Sequence, residues 1–246
     1  MLFSTAQLFP AAVAYYYDEI GLIKVFFNTL LATFLCGFLL YITNSSRKED
    51  LRTKDGFIIT VLFWTVLAIF GSFPLIFAEE IEISYVDSLF ESISGLTTTG
   101  ATVLTGLDEL PRSILFYRQL LQWLGGMGII VLAVAVLPLL GIGGMQLYKA
   151  ETPGPLKEAK LTPRIKETAK ALWYVYLTMT ILCAAFYKFF GMTTYDAICH
   201  SFSTVSIGGF STHDESFGFF SQSSIRWTAV IFMIIAGINF GLHYIA

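Results

Sequence analysis

Residues 84–102 read SYVDSLFESISGLTTTGAT, and residues 193–212 read TTYDAICHSFSTVSIGGFST. Each stretch opens with about 13 apolar and small polar residues, too few to cross a hydrocarbon core that takes about 20 helical residues. Each ends in a short run of hydroxyl residues and glycine. A helix followed by such a loop is typical of a re-entrant segment, which membranes tolerate only where protein or a water-filled cavity surrounds it.

The composition places these two segments in a membrane protein. Hydrophobic residues make up 55% of the chain, charged residues only 13%, and the mean hydropathy is +0.69. Nearly uninterrupted apolar stretches long enough to span a bilayer cover residues 25–42, 57–78, 114–140, 169–190 and 225–246. A shorter stretch, residues 2–17, has no basic flank or cleavage site, which favours a clipped transmembrane helix over a signal peptide. We therefore predict an all-α membrane protein.

The two segments belong to an internal repeat with an offset of 109 residues. Without any gap, the offset pairs Trp64 with Trp173, Asp87 with Asp196, Ser92 with Ser201, Ser94 with Ser203, Thr97 with Ser206, Gly100 with Gly209, Thr102 with Ser211 and Gly128 with Gly237. The repeated unit is a transmembrane helix, a pore helix, a filter loop and a second transmembrane helix, an architecture like that of potassium channels. We predict two extra N-terminal transmembrane helices in residues 1–45, a first pore unit in residues 46–145 and a second in residues 146–246. A cytoplasmic linker covers residues 145–168 or so.

Charge predicts the orientation. Residues 43–56 and 141–170 carry ten of the fifteen basic residues but six of the eighteen acids, so they face the cytoplasm. The remaining twelve acids are concentrated on the outer side, where each is an ordinary solvated residue and together they attract cations toward a pore mouth.

The loops have the composition of a cation filter. A dehydrated cation needs closely spaced oxygen ligands, and potassium filters supply them as rings of backbone carbonyls. Glycine gives the backbone the conformations that such carbonyls require. The candidate ion-binding residues are Thr97, Thr98, Thr99, Gly100, Ser206, Ile207, Gly208 and Gly209, with potassium itself at Thr98, Thr99, Ile207 and Gly208. The alternative is a pair of ordinary polar turns, which two copies in register disfavour.

Three further residues are candidates for supporting the filter. Asp87 and Asp196 begin the short helices, where a carboxylate can cap backbone amides and complement the helix dipole. Arg118, near the start of a span and one turn before Gln122, either snorkels to the outer headgroups or braces the filter with a hydrogen bond or ion pair. The sequence has no catalytic Ser/His/Asp set and no HExxH motif, so we predict no enzyme activity and no cofactor, with potassium as substrate.

Residues 94–102, the run RQLLQWLGGMG from Arg118 to Gly128, and residues 203–212 resemble the Trk/Ktr/HKT superfamily of potassium transporters. The resemblance implies potassium uptake through a narrow pore in the bacterial inner membrane, with Gly100 and Gly209 as the key filter glycines. It also implies a multi-pass homodimer in the lipid bilayer, gated by a cytoplasmic nucleotide-binding ring (TrkA-like), and no nucleic acid partner. Part of residues 141–170 would dock that ring, although lysines there could instead bind lipid headgroups.

Superfamily members carry four such units and this chain carries two, so two further units are expected beyond residue 246. Two loops cover about half of a four-fold ring, and the 246 residues alone should not conduct as a monomer. Neither loop reads GYG, which leaves sodium or mixed monovalent cation transport as an alternative. A non-conducting membrane scaffold or sensor is a third reading.

Overall fold

A computed structural model describes residues 1–44, 53–136 and 161–238, and this part of the chain is helical without a β-strand. The helices are α1 (Leu2–Thr5), α2 (Leu8–Tyr16), α3 (Ile20–Asn44), α4 (Thr53–Ile76), α5 (Tyr85–Leu96), α6 (Arg112–Val136), α7 (Leu161–Phe189), α8 (Thr194–Val205) and α9 (Ser223–Gly237). Two short 3₁₀ turns, Leu107–Glu109 and Ser216–Gly218, follow the filter loops. The predicted unit boundaries near residues 46 and 145, and most of the cytoplasmic linker, lie outside the described residues.

The N-terminal region differs from the prediction of one continuous helix. It is divided into α1 and α2 because Pro10 has no N–H to donate to the carbonyl of Ala6. The N–H of Phe9 bonds that carbonyl instead at 3.2 Å, a tighter i to i+3 turn. After α2, the acidic turn reaches α6, because the Glu19 carboxylate accepts hydrogen bonds from two backbone N–H groups in the first turn of that helix.

Long apolar helices surround the two short ones. Within the described residues, Ile20–Thr43 and Ala169–Phe189 are long and apolar enough to cross a membrane, and Thr60–Ile76 and Ser223–Gly237 are shorter apolar helices. The helix α4 tolerates Pro74 near its end, where the missing hydrogen bond falls in the last turns.

Each pore helix is held by the two long helices of its own unit. One buried apolar cluster joins α2, α3, α4, α5 and α6 and includes Phe26, Leu75 and Tyr117. A second joins α7, α8 and α9 with the end of α6 and includes Tyr187 and Phe232. The helix α6 also packs on α8 of the second unit, so it is the element that fixes one filter loop relative to the other.

The three-dimensional repeat keeps the offset of 109 residues. The helix α5 begins at Tyr85 and ends at Leu96, and α8 begins at Thr194 and ends at Val205. The two 3₁₀ turns begin at Leu107 and Ser216 and are separated by the same offset. The sequence repeat is therefore a repeat of backbone structure as well.

Candidate functional site

The two pore helices begin with the same hydroxyl cap. The Ser84 hydroxyl accepts a hydrogen bond from the N–H of Asp87 at 3.1 Å, and the Thr193 hydroxyl accepts one from the N–H of Asp196 at 3.0 Å. Each aspartate carboxylate accepts the proton of its cap hydroxyl, at 2.7 and 2.6 Å. The sequence prediction that the aspartates themselves cap the amides is wrong: each is the third helical residue, where its charge still complements the positive end of the helix.

The two pore helices also end in the same way. The N–H of Thr99 bonds the carbonyl of Ser94 at 2.9 Å, and the N–H of Gly208 bonds the carbonyl of Ser203 at 2.8 Å. A second bond, from the N–H of the preceding residue to the carbonyl of Gly95 at 3.0 Å or of Thr204 at 3.1 Å, completes a Schellman motif in each unit. The chain thus leaves each helix through a left-handed residue and turns sharply into the filter loop.

The left-handed positions include residues that rarely adopt this conformation. Gly100 and Gly209 have φ values of 75° and 87°, which glycine adopts at little cost. Thr98 and Ile207 both have φ of 54°, although both are β-branched. A β-branched residue at positive φ costs on the order of 1–3 kcal/mol and persists only where its surroundings enforce it. Sequence reasoning assigned this geometry to the glycines alone.

The two filter loops lie against each other. A Cβ on Gly100 would overlap the carbonyl oxygen of Gly208 and meet the Cα of Gly209 at 3.4 Å. On its other side Gly208 lies against the amide of Gln122, which would collide with any side chain there. The Gln122 Oε1 accepts the N–H of Phe210 at 3.1 Å, so a side chain of α6 fastens the second unit's loop.

Arg118 connects the two loops as well. It is fully buried, and its Nε donates to Glu91 Oε1 on the first pore helix at 2.8 Å. Its terminal nitrogens donate to the Thr102 hydroxyl at 2.9 Å and, more weakly, to the Ser211 carbonyl at 3.4 Å. The guanidinium carbon lies 4.3 Å from the centre of the Phe210 ring. Of the two sequence readings, snorkelling is excluded and the bracing contact is what the structure contains.

The second unit has a histidine where the first has the glutamate of this ion pair. The offset relates Glu91 to His200, which is also fully buried. The His200 Nε2 lies 3.1 Å from the Ser211 hydroxyl, while Glu91 accepts the hydroxyl proton of Thr102, the matching residue, at 2.7 Å. The Nδ1 of His200 lies 2.9 Å from the carbonyl of Asp196. Each pore helix therefore uses a buried polar side chain at the matching position, Glu91 or His200, to hold the segment after its own filter loop.

The outer loops of the two units are fastened directly. The His213 Nδ1 donates to Asp108 Oδ1, the N–H of Asp214 reaches Asp108 Oδ2 at 3.3 Å, and the N–H of Gly106 donates to Asp214 Oδ1 at 3.0 Å. The hydrogen bond from His213 lowers the pKa of the Asp108 carboxyl. No group of three or more potential metal-ligating side chains occurs in residues 1–44, 53–136 and 161–238.

Known proteins share this architecture. The model of the family described as "TrkH: Cation transport protein" matches residues 22–246. The chain belongs to the TrkH family. It is 57% identical over 245 residues to the Trk system potassium uptake protein TrkH of Vibrio parahaemolyticus, covering 100% of this chain and 50% of that protein. It is 53% identical over 244 residues to the protein of the same name from Escherichia coli, covering 99% of this chain and 50% of that protein.

The fold agrees with a solved structure of the TrkH family. The crystal structure of the potassium transporter TrkH from Vibrio parahaemolyticus superposes with a TM-score of 0.87 at 53% identity, covering 99% of this chain and 48% of that chain. The prediction of an all-α membrane fold is confirmed. The chain spans about half the length of these relatives. Both relatives are named as uptake proteins rather than enzymes, in agreement with the sequence prediction.

The TrkH-family fold gathers most of the predicted residues and adds several. Both filter loops meet, Arg118 contacts both units, and Asp196 accepts the Thr212 hydroxyl at 2.9 Å. The Asp87 side chain bonds only its own helix cap among the hydrogen bonds of the described residues. Sequence reasoning missed Glu91 and His200, and it missed the contact of His213 with Asp108. One signal was available for Glu91, because an ionisable residue inside an apolar re-entrant helix is by default functional in membranes.

Proposed function

We propose that the two loops form part of a selectivity filter through which potassium crosses the bacterial inner membrane. The observation that carries the proposal is the pair of adjoining loops with matching left-handed residues, Thr98 and Gly100 in one and Ile207 and Gly209 in the other. Such backbones present carbonyl oxygens at close spacing, the ligand type that potassium filters use. The relatives' names, which specify potassium uptake, support this choice of ion.

The candidate ligands are the eight residues predicted from the sequence, Thr97 to Gly100 and Ser206 to Gly209, with potassium held at Thr98, Thr99, Ile207 and Gly208. Both pore helices end at these loops, so the negative ends of their dipoles favour a cation between them. Asp87 and Asp196 strengthen the opposite, positive ends, and Arg118 keeps the loops in register. The ion itself is the substrate, and no cofactor is needed for this reaction.

Two loops make up about half of a four-fold ring. In the proposed transporter, two further units complete the ring and two copies of the whole form a homodimer in the lipid bilayer. A cytoplasmic nucleotide-binding ring of the TrkA type gates it through the segment between α6 and α7. The name of the Trk system implies a complex of several components and supports such a partner. Charge reversal at Lys157, Lys160 and Lys166 should weaken co-purification with the ring; unchanged co-purification indicates lipid binding by these lysines instead.

The filter assignment is tested by complementation of a potassium-uptake-deficient bacterium on low potassium. Replacing Gly100 or Gly209 with valine should abolish growth, because a β-branched residue at positive φ costs about 1–3 kcal/mol, and each 1.4 kcal/mol is a tenfold loss. Gly106 has φ of 68° in the outer loop, with no described atom within 4 Å of an added Cβ. Gly106→Val therefore carries the same backbone strain outside the filter loops, so it is the matched control for strain alone and should grow. Normal growth with both filter glycines replaced would favour a non-conducting scaffold or sensor.

The transported ion needs a separate measurement. Neither loop has the GYG motif of strict potassium channels, so sodium or mixed monovalent cation transport is the second candidate. Rubidium and sodium fluxes into liposomes that contain the purified protein distinguish the two. Rubidium uptake well above sodium uptake supports the potassium assignment, and equal uptake overturns it.

A further inference from the structure

A pocket on the outer side of the molecule lies apart from the filter. It has a volume of about 250 Å³, is half open, and is lined by Tyr17, Arg112, Thr193, Thr194, Tyr195 and Asp196. These residues come from three parts of the chain: the turn after α2, the start of α6 and the start of α8. A molecule bound there would join the N-terminal helices and both pore units.

The positive charge in this pocket has no acidic partner among the described residues. The guanidinium carbon of Arg112 lies 5.2 Å from the centre of the Tyr195 ring, and no described carboxylate is within 4.0 Å of its nitrogens. The neighbouring Glu19 carboxylate uses both oxygens on backbone N–H groups, those of Arg112 and Ser113, at 2.7 and 3.1 Å. The N–H groups of this guanidinium are therefore available to an anion, and guanidinium binds phosphate more strongly than neutral donors do.

The one carboxylate that lines the pocket is already hydrogen-bonded. Asp196 is almost fully buried. Its Oδ2 accepts the Thr193 hydroxyl at 2.6 Å, and its Oδ1 accepts the Thr212 hydroxyl at 2.9 Å and lies 3.4 Å from His213 Nε2. These contacts direct its charge toward the protein interior, so Arg112 is the charged group left facing the opening.

The surroundings indicate the depth of the pocket in the membrane. Tyr15 and Tyr16 are 77% and 78% exposed at the end of α2, and Tyr17 packs edge-on against Tyr195 at 5.7 Å. Exposed tyrosines are enriched at the level of lipid headgroups. The positive-inside distribution of basic residues puts this end of α2 on the outer side. The pocket therefore opens at the height of the outer-leaflet phosphates.

We propose that this pocket binds the phosphate group of an outer-leaflet phospholipid, with Arg112 as the charged donor and the hydroxyls of Tyr17 and Thr194 beside it. The phosphate diester carries one negative charge and acceptor oxygens, which match a guanidinium fork. Inorganic phosphate offers the same chemistry and is the other source of this ligand. The proposal does not depend on the ion pathway.

In the test, each probe is titrated into the purified, delipidated protein in detergent, and the thermal unfolding midpoint is measured at each concentration. The probes are dioctanoyl-phosphatidylglycerol, dioctanoylglycerol, which lacks the phosphate, and sodium phosphate. We expect saturable stabilisation by the phospholipid, because a ligand that binds only the folded protein raises its stability. Arg112→Gln should weaken the apparent affinity about tenfold, the loss that corresponds to one charge-assisted hydrogen bond.

The matched control is Arg226→Gln. Arg226 also lies in the first turn of a helix on the outer side, α9, but it is exposed, and within the described residues its side chain bonds only a serine carbonyl and a serine hydroxyl, weakly. Its replacement should leave the phospholipid affinity unchanged. Arg112→Lys keeps the charge without the planar fork and should bind with intermediate affinity, which covers the case in which Arg112→Gln does not fold.

Three results decide the proposal. Equal phospholipid affinity in the wild-type protein and in the Arg112 variants overturns it, and so does equal stabilisation by dioctanoylglycerol. Saturation by sodium phosphate that Arg112→Gln abolishes supports the phosphate site and, if tighter than that of the lipid, assigns free phosphate as the source.

Discussion

The two pore units have the same backbone but hold it with different side chains. In the first, the buried Glu91 is paired with Arg118, whereas in the second the corresponding residues are His200 and Trp227. The tryptophan is 65% exposed, and Ile231, which corresponds to Gln122, is 51% exposed. The loop shape is thus determined by hydrogen bonds common to both units, namely the hydroxyl caps at the start of each pore helix and the Schellman motifs at its end. Within the described residues, the buried ion pair of Glu91 and Arg118 occurs in the first unit alone, and Arg118 faces the loop of the second unit.

The difference teaches where the two loops depend on each other. The Arg118 guanidinium of the first unit lies 4.3 Å from the Phe210 ring centre and 3.4 Å from the Ser211 carbonyl of the second. Gln122 accepts the N–H of Phe210 at 3.1 Å. The matching face of α9 is apolar and exposed, so in the described residues α9 does not brace the first filter loop as α6 braces the second. Substitutions on α6 should therefore affect both loops, and those on α9 should not.

The largest effect is expected from breaking the ion pair. Arg118→Met leaves the Glu91 carboxylate buried without its charged partner, which should lower the free energy of unfolding by about 3–5 kcal/mol. Combining it with Glu91→Leu removes both charges and should restore more than half of that loss, since well-packed apolar residues replace buried pairs at little cost. Reversible unfolding in mixed micelles measures both, with Arg226→Met as an exposed control. A double variant as unstable as the single one would contradict this account.

Replacing Gly100 should destabilise the protein more than replacing Gly209. Gly100→Ala combines left-handed strain of about 1–2 kcal/mol with overlap on Gly208 worth about 1–3 kcal/mol. Gly209→Ala should cost only the strain, because no described atom lies within 4 Å of its added Cβ. Unfolding free energies and rubidium uptake of the two variants give the comparison. Equal losses would show that another part of the assembled transporter fills the space beside Gly209.

A smaller loss of stability is expected from the matching substitution in the second pore unit. His200→Leu removes two hydrogen bonds, to the Ser211 hydroxyl and the Asp196 carbonyl, and should cost about 1–2 kcal/mol. Glu91→Leu strands a buried guanidinium and should cost about 3–5 kcal/mol. Measured side by side in the same micelles, these two losses of unfolding free energy test whether the buried charge makes the first unit more sensitive to substitution than the second. His200→Leu being as damaging as Glu91→Leu would indicate that the histidine is charged.

The smallest effect concerns the contact between the outer loops. The hydrogen bond from His213 lowers the pKa of the Asp108 carboxyl below its ordinary value. A carboxyl whose pKa is lower in the folded state stabilises the protein above its unfolded pKa and loses that contribution as the pH falls through the folded pKa. Because Asp108 is 46% exposed, the contribution should be roughly 0.2–1 kcal/mol. Unfolding midpoints from pH 6 to pH 3 should fall more steeply for the wild type than for Asp108→Asn.

The control for this titration is Asp18→Asn, which removes a carboxylate from the turn between α2 and α3 and leaves the contact between the outer loops in place. Parallel curves for the wild type and Asp108→Asn would remove the proposed link between the outer loops. Rubidium uptake by the same variants should change little if the contact between the outer loops only adds stability.

The sequence was enough to predict the class and the repeat, and the repeat placed the two proposed filter loops. Apolar length indicates the spans, and an offset of 109 residues locates Gly100 and Gly209, because these signals depend on neighbours along the chain. The sequence left open which side chain caps the start of each pore helix, although the candidates lie within one helical turn. Serine or threonine three residues before aspartate can use either side chain as the cap, and the structure selects the hydroxyl.

Only the tertiary structure decided which side chains serve the loops. Arg118 meets Ser211 across 93 residues of sequence and His213 meets Asp108 across 105. No periodicity links such positions, since their contact depends on how α6 packs against α8. The positive φ of Thr98 and Ile207 has the same origin. A β-branched residue does not choose that conformation by its own propensity; the helix end and the packed loops impose it.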